Sequence, residues 1–307
     1  MKRAPPAARN RDPEKRRGDA IGIVGLGLIG GSLGKALRRR FPKKMLIGVE
    51  RNASIRALAR RDGVFDAILP RPTSALGSCA TVILCTPVAD VLRLVGTVSA
   101  TMRDGAILTD VAGVKEPVLE TASARVRSGV PFVGAHPMFG GEAGGYAASR
   151  ADLWRGGTVA VCTDGADRRA LSHVARLHRS LGARVLFCAA AEHDLAAAAV
   201  SHLPYVLSGA LALTAHDAGA AARRLAAGGL ADATRLASFA YDVQGEAARR
   251  NRHLVLAVRA FGGNLRRLLD GLATSPEAAR VEFTRARAAK KSLDSALGRG
   301  AGRKYRI

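Results

Sequence analysis

The sequence predicts an α/β protein in which a doubly wound parallel sheet comes first and an all-helical segment follows. Three observations carry this reading. From Ala20 onward short apolar runs alternate with helical stretches, a glycine-rich turn joins the first run to the first helix, and strand signals stop after Cys188. Alternation of this kind builds parallel sheets with helices on both faces, and a purely helical continuation implies a second domain.

Residues 20–24 read as the first strand, followed by the glycine turn and a helix to about Arg39. Residues 45–50 form the next strand and 54–61 a helix. The runs 81–85 (TVILC) and 106–109 (AILT) are apolar throughout, as strands covered on both faces should be. A helix is expected over 117–127, strands over 132–134 and 158–162, an amphipathic helix over 167–181, and a last strand over 184–187 closing the sheet. Beyond it, 189–215 reads as one long helical stretch that Pro204 is expected to kink, with further helices over 220–226, 232–240 and 246–269 and a break at Gly228–Gly229.

The 307 residues are 48% hydrophobic with a mean hydropathy of +0.06, enough chain for two globular domains. A net charge of +23 raises nucleic acid as a partner, so its location matters: the two ends carry +10 of it and the remaining +13 is spread over the body. Seven Lys/Arg face three acids in residues 1–19, and nine face three in 275–307. Phe283 and Tyr305 alone among these charges build no aromatic stacking platform, so nucleic acid is not the expected partner. Rich in Ala, Arg, Pro or Gly and without apolar period, 1–18 and 275–307 read as basic, flexible tails. Cys79, Cys85, Cys162 and Cys188 are scattered and form no C-x-x-C pair, which implies a reducing cytoplasm and no metal site. The charged N-terminus lacks the apolar core of a secretory signal. No membrane is expected either: the richest apolar run, 195–213, is interrupted by Ser201, His202 and Pro204, short of the roughly 18–20 residues that cross a bilayer.

Gly25-Leu26-Gly27-Leu28-Ile29-Gly30 is a G-x-G-x-x-G turn placed directly between a strand and a helix. Its glycines permit a tight turn, close approach of a pyrophosphate and close helix packing, while the helix N-terminus offers unpaired N–H groups to phosphate. Glu50 ends the second strand, where a carboxylate accepts from an adenosine 2′-hydroxyl and repels a 2′-phosphate. This favours NAD, with NADP possible through the adjacent Arg51. Thr86 and Pro87 follow the 81–85 strand at its C-terminal end and are expected to border the cofactor. Residues 19–188 are therefore expected to form a dinucleotide-binding, Rossmann-type domain and 189–274 a helical substrate and dimerisation domain.

His136 leaves the end of a strand on the loop Gly134-Ala135-His136-Pro137-Met138-Phe139-Gly140, where a neutral imidazole can accept a substrate hydroxyl proton while hydride leaves the same carbon. The string G-A-H-P-M-F-G resembles the G-x-H-P-M-x-G loop of prephenate and arogenate dehydrogenases. Further segments agree in order: Thr109-Asp110 with Gly113-Val114-Lys115, Glu192-His193-Asp194, Ser201-His202-Leu203-Pro204, and Gly228-Gly229 with Asp232-Ala233-Thr234-Arg235. The similarity covers roughly 20–270. The glycine turn is generic to dehydrogenases, whereas the H-P-M loop together with the S-H-L-P helix is specific.

This resemblance implies NAD(P)-dependent oxidative decarboxylation of a cyclohexadienol, prephenate or arogenate, to 4-hydroxyphenylpyruvate or tyrosine. His136 would take the hydroxyl hydrogen bond and His202 would contact the substrate. The chain departs from the family pattern at several polar positions. Gly113 stands where many members have a serine that assists the histidine, Tyr205 where S-H-L-P-H ends in histidine, and Gly141 where Thr or Ser is frequent. A family arginine aligns with Gly245, leaving Arg249 as the candidate cation. These departures keep a related substrate, such as 4-amino-4-deoxyprephenate, as an alternative. A β-hydroxyacid dehydrogenase would need a lysine on its second domain, and none occurs between Lys115 and Lys290. The non-enzyme alternative is a nucleotide-sensing or nucleic-acid-binding regulator acting through the tails. The alanine-rich C-terminal helices imply a homodimer.

Overall fold

Six parallel strands form the main sheet of the computed structural model, which describes residues 19–141 and 143–296. They are β1 (Ala20–Val24), β2 (Leu46–Val49), β3 (Ala67–Leu69), β4 (Cys79–Leu84), β5 (Ile107–Asp110) and β6 (Phe132–Val133), ordered β3-β2-β1-β4-β5-β6. The order reverses between β1 and β4, so the loops after these strands frame a crevice at their C-terminal ends. Helices α1 (Leu28–Arg40), α2 (Ala53–Asp62), α3 (Val88–Ala100) and α4 (Glu116–Arg125) make the connections. β1 shows the double winding: Ile21 and Ile23 enter one core with Leu33 and Leu37, whereas Ala20 and Val24 enter the other with Val91 and Val95. Alternate residues of a strand face opposite sides, so each face acquires its own apolar layer.

The chain departs from the expected single sheet at Gly134. β7 (Ala135–Pro137) pairs antiparallel with β8 (Thr158–Cys162), and β8 pairs parallel with β9 (Arg184–Cys188), giving a separate three-stranded sheet. β6 is only two residues long, and side chains replace its continuation. The Ala135 N–H donates to Asp110 and the Ala135 carbonyl accepts from Lys115 Nζ. Helix α5 (Arg168–Ser180) presents Ala170, Val174 and Leu177 to the first core. Cys162 and Cys188, distant in sequence, are register partners across β8 and β9, and all four cysteines are free thiols.

After β9, α6 (Ala190–Ala197), a π-helical turn (Ala198–His202) and α7 (Leu203–Asp217) form one continuous helical run. This matches the one long helical stretch expected over 189–215, and Ser201, His202 and Pro204 lie within it. Pro204 falls in the first turn of α7, directly after the wide π-turn, where a missing N–H and a ring next to the backbone are tolerated. The stretch Ala190–Asp217 is 28 residues long with a mean hydropathy of 1.5, long and apolar enough by those measures to cross a bilayer. Shorter helices follow: α8 (Ala220–Leu225), α9 (Gly228–Thr234) and α10 (Glu246–Arg250). Gly228 and Gly229 open α9 rather than only breaking a helix, and the stretch expected over 246–269 stops at Asn251 and restarts at Leu254.

One compact unit ends at Arg252 and a second begins at His253. The second is a helical hairpin of α11 (Leu254–Thr274) and α12 (Pro276–Ala296). A flexible tail was expected from 275, yet 276–296 are helical. Ser275 Oγ accepts from the Ala278 N–H, Pro276 takes the first helical position and Glu277 the first turn, a favourable helix start. Gly271 lets the helices touch, since a Cβ there would lie 3.3 Å from the Ala278 carbonyl oxygen. The tail expected over 1–18, and its counterpart over 297–307, lie outside the described residues.

Candidate active site

The glycine turn is held by constraints that only glycine meets. Gly25 adopts φ +93°, and a Cβ there would lie 2.8 Å from the Cys85 carbonyl oxygen; one on Gly30 would lie 1.9 Å from the Gly25 carbonyl oxygen. Such contacts exclude any side chain. Above Gly27, the N-cap of α1, nothing lies within 4 Å of the Cβ position, and no acid occupies the first turn. Unpaired N–H groups and the positive end of the helix dipole therefore face open space, a fit for phosphate. Glu50 reaches back to this turn, with Oε2 accepting from the Leu26 N–H at 2.9 Å and Oε1 from the Asn52 N–H at 2.8 Å. Arg51 is 81% exposed and makes only a loose 3.8 Å contact with Asp90. Pro87 is the N-cap of α3 rather than its first residue, and the Thr86 side chain abuts Gly25, its hydroxyl buried without a hydrogen-bond partner.

The loop after β7 lies against the same helix end. Leu28 is 3.5 Å from the Cβ position of Gly141, and Gly31 faces Tyr146 and Ser149. His136 is the central residue of β7, the strand that precedes this loop. Its Nδ1 is 2.9 Å from His193 Nε2, and His193 Nδ1 is 2.7 Å from Asp194 Oδ1. Asp194 is fully buried and accepts the N–H groups of Lys115 and Glu116, capping α4. Lys115 is sealed too, its ammonium 2.5 Å from Asp110 Oδ2 and 2.8 Å from the Ala135 carbonyl oxygen. Burial, helped by the nearby His193, Lys115 and His202, holds the His136 imidazole well below its ordinary pKa, so it stays neutral.

Gly113 lies between two imidazoles. A Cβ on it would be 3.7 Å from His136 Nε2, and its backbone lies beside His202. His202 is buried. Asn251 Nδ2 donates to the Asp194 carbonyl oxygen and lies 3.0 Å from His202 Nδ1, so that nitrogen accepts and Nε2 carries the proton. That Nε2–H makes no full hydrogen bond. A buried donor held only loosely by the Gly113 backbone, near a neutral acceptor, is a surface suited to a polar ligand.

Tyr205 is half-buried on the first turn of α7. Arg249 stands apart from this cluster in its bonding. The three-residue helical spacing brings its guanidinium onto Glu246 at 3.0 and 3.1 Å, and the side chain is 55% exposed. The neighbouring Ala247 is what reaches Gly113 from α10. His193, Asp194, Lys115, Asp110 and Asn251 were not singled out as site residues from sequence. The available signal was a His-Asp pair on an otherwise apolar helix, a polar couple that must find partners when buried.

An open crevice at the strand-order reversal, a glycine turn on a helix end and a neutral histidine beside it define a nucleotide-binding α/β protein with a helical companion. Residues 33–187 match the family described as prephenate dehydrogenase, nucleotide-binding domain, and 189–268 match prephenate dehydrogenase, dimerization domain. The chain belongs to the prephenate dehydrogenase family. A prephenate dehydrogenase of Bacillus subtilis is 31% identical over 226 residues, 72% of this chain and 61% of that protein, so the match spans about three fifths of that relative's length. Among solved structures, Synechocystis arogenate dehydrogenase superimposes with a TM-score of 0.75 at 30% identity, covering 89% of this chain and 99% of that one. A prephenate dehydrogenase from A. aeolicus, in complex with hydroxyphenyl propionate and NAD+, gives 0.81 at 26% identity, covering 90% and 98%.

Proposed function

We propose that this chain catalyses NAD(P)-dependent oxidative decarboxylation of a cyclohexadienol, prephenate or arogenate, yielding 4-hydroxyphenylpyruvate or tyrosine. The observation that carries the reading is the neutral His136, with Nδ1 engaged by His193 and the opposite ring edge, including Nε2, beside Gly113. The bound nicotinamide would supply the hydride acceptor. His136 Nε2 would take the proton of the ring hydroxyl, the His202 Nε2–H would donate to a polar group of the substrate, and the 138–141 loop would close the site beside Leu28. Loss of carbon dioxide and aromatisation supply the driving force, so the protein's task is orientation and one proton transfer.

Glu50 favours NAD, because its fixed carboxylate would repel a 2′-phosphate; Arg51 is free enough in space to lessen that preference. Gly113 offers His136 no hydroxyl partner, which keeps a 4-amino substrate among those to assay. A homodimer through the C-terminal helices is supported by the match to a dimerization domain and by exposed Val200, Leu211 and Leu213, with Leu265, Leu269 and Leu272 on α11.

The test is a panel of prephenate, arogenate and 4-amino-4-deoxyprephenate with NAD and NADP, followed as reduced nicotinamide. Turnover of at least one substrate is expected, and His136→Asn should lower kcat by about 10²–10⁴-fold with cofactor affinity retained. Silence across the panel, or full turnover in the variant, would refute the reading.

A further inference from the structure

Asp194 is the fixed point of a chain of hydrogen bonds. Its carboxylate has only acceptors to offer, and the buried N–H groups of Lys115 and Glu116 already engage both oxygens. The His193 nitrogen facing it, Nδ1, must therefore carry a proton. A neutral His193 then presents a bare lone pair at Nε2, and the nitrogen that meets it, His136 Nδ1, must be the protonated one. His136 is left with a bare Nε2, on the ring edge that lies beside Gly113, 3.7 Å from where a Cβ on that glycine would be. For a neutral His193 each step follows from donor and acceptor capacity, and reversing the order would leave two donors or two acceptors face to face.

We propose that His193 and Asp194 are positioning residues that lock His136 in its Nδ1–H tautomer and share the positive charge that arises when Nε2 takes up a proton. His193 does not touch the reacting atoms; it acts through His136. When the substrate O–H bond breaks, its electron pair stays on oxygen, a new N–H bond forms at His136 Nε2, and the Nδ1–H bond to His193 strengthens without breaking. Asp194 then faces a growing positive charge through His193, which lowers the cost of burying it. The arrangement parallels a carboxylate that orients a single imidazole, with a second imidazole inserted between them. His193 is 4% and Asp194 0% exposed, so water does not compete for these bonds.

The inference rests on the proposed role of His136, but its test does not need the substrate to be known. Asp194→Asn would also weaken the cap of α4, so His193 is the better position. Nitrogen NMR of the full chain labelled at histidine reads both ring nitrogens of His136. Wild type should show Nδ1 protonated and Nε2 bare; His193→Leu should shift the ring toward the opposite tautomer; His193→Gln, whose amide can accept from His136 and donate to Asp194, should restore the wild-type pattern. In turnover, His193→Leu should lose about tenfold or more in kcat with KM and NAD affinity within about twofold, and His193→Gln should recover most of it. Unchanged His136 nitrogens in His193→Leu, or equal damage from Leu and Gln, would overturn the proposal. If no cyclohexadienol turns over, the proposed function fails while the nitrogen pattern still decides the tautomer lock.

Discussion

Lys115–Asp110 and Arg249–Glu246 are both ion pairs, each within one local stretch of chain, yet they stand at opposite ends of a scale. The first pair is sealed, both side chains 0% exposed, and also holds the Ala135 carbonyl and N–H that begin β7. The second lies at the surface, with Arg249 55% exposed. Glu246 is pushed down to about 2 by Arg249 foremost, but solvent screens what that shift contributes to folding. Identical charge chemistry therefore performs two tasks. Buried, it places His136 where the main sheet ends; exposed, it decorates α10.

The comparison can be broken by substitution. Lys115→Met should cost about 3–5 kcal/mol in chemical denaturation at pH 7, because it strands the Asp110 carboxylate in the interior. A loss indistinguishable from that of a surface lysine would show that the pair is not sealed. A second sealed group gives a smaller effect that depends on pH. His178 accepts from Trp154 Nε1 at 3.0 Å, and burial pushes it down from 6.5 to about 4. The unfolded chain binds a proton below pH 6.5 that the folded chain refuses until about pH 4. Its contribution is whole above 6.5 and lost as pH falls through that window, at most about 3 kcal/mol. Denaturation at pH 7.5 and 4.5 should show this slope in wild type and a shallower one in His178→Phe; parallel slopes would remove His178 as its source. At the bottom of the scale, Arg249→Ala should leave the melting temperature unchanged within error, and a marked drop would mean that the exposed pair is tied into something larger.

The same division explains what could be read from sequence. The glycine turn was legible because it is a local string fixed to a strand end, and local strings survive without knowledge of packing. The His136–His193–Asp194 chain was not, because its partners come from β7 and α6, 57 residues apart, and only the fold brings them together. β7 escaped notice because it is three residues long, includes a proline, and follows a break whose bonds are supplied by side chains. Helix α12 was misread as tail although Ser275-Pro276-Glu277 is a helix start; its arginines and alanines mimic the composition of disordered ends, and composition outweighed the cap. The helix over 189–215 was legible, but its apolar run, read as 195–213 and broken at Ser201, His202 and Pro204, keeps a mean hydropathy of 1.5 along Ala190–Asp217 because three polar or cyclic residues do not offset the rest.

The π-turn between α6 and α7 has a consequence for spacing. Such a turn holds one residue more than an α-turn, and each residue of a helix advances the azimuth by about 100°. The helical run from α6 to α7 therefore has two phases: His193 and Asp194 keep time with the sheet, while Ser208, buried and bonded to Ala233 and Ala237, keeps time with the helices that follow. Removing one residue from 198–202 would merge the phases, so only one of these two sets of partners could then be met.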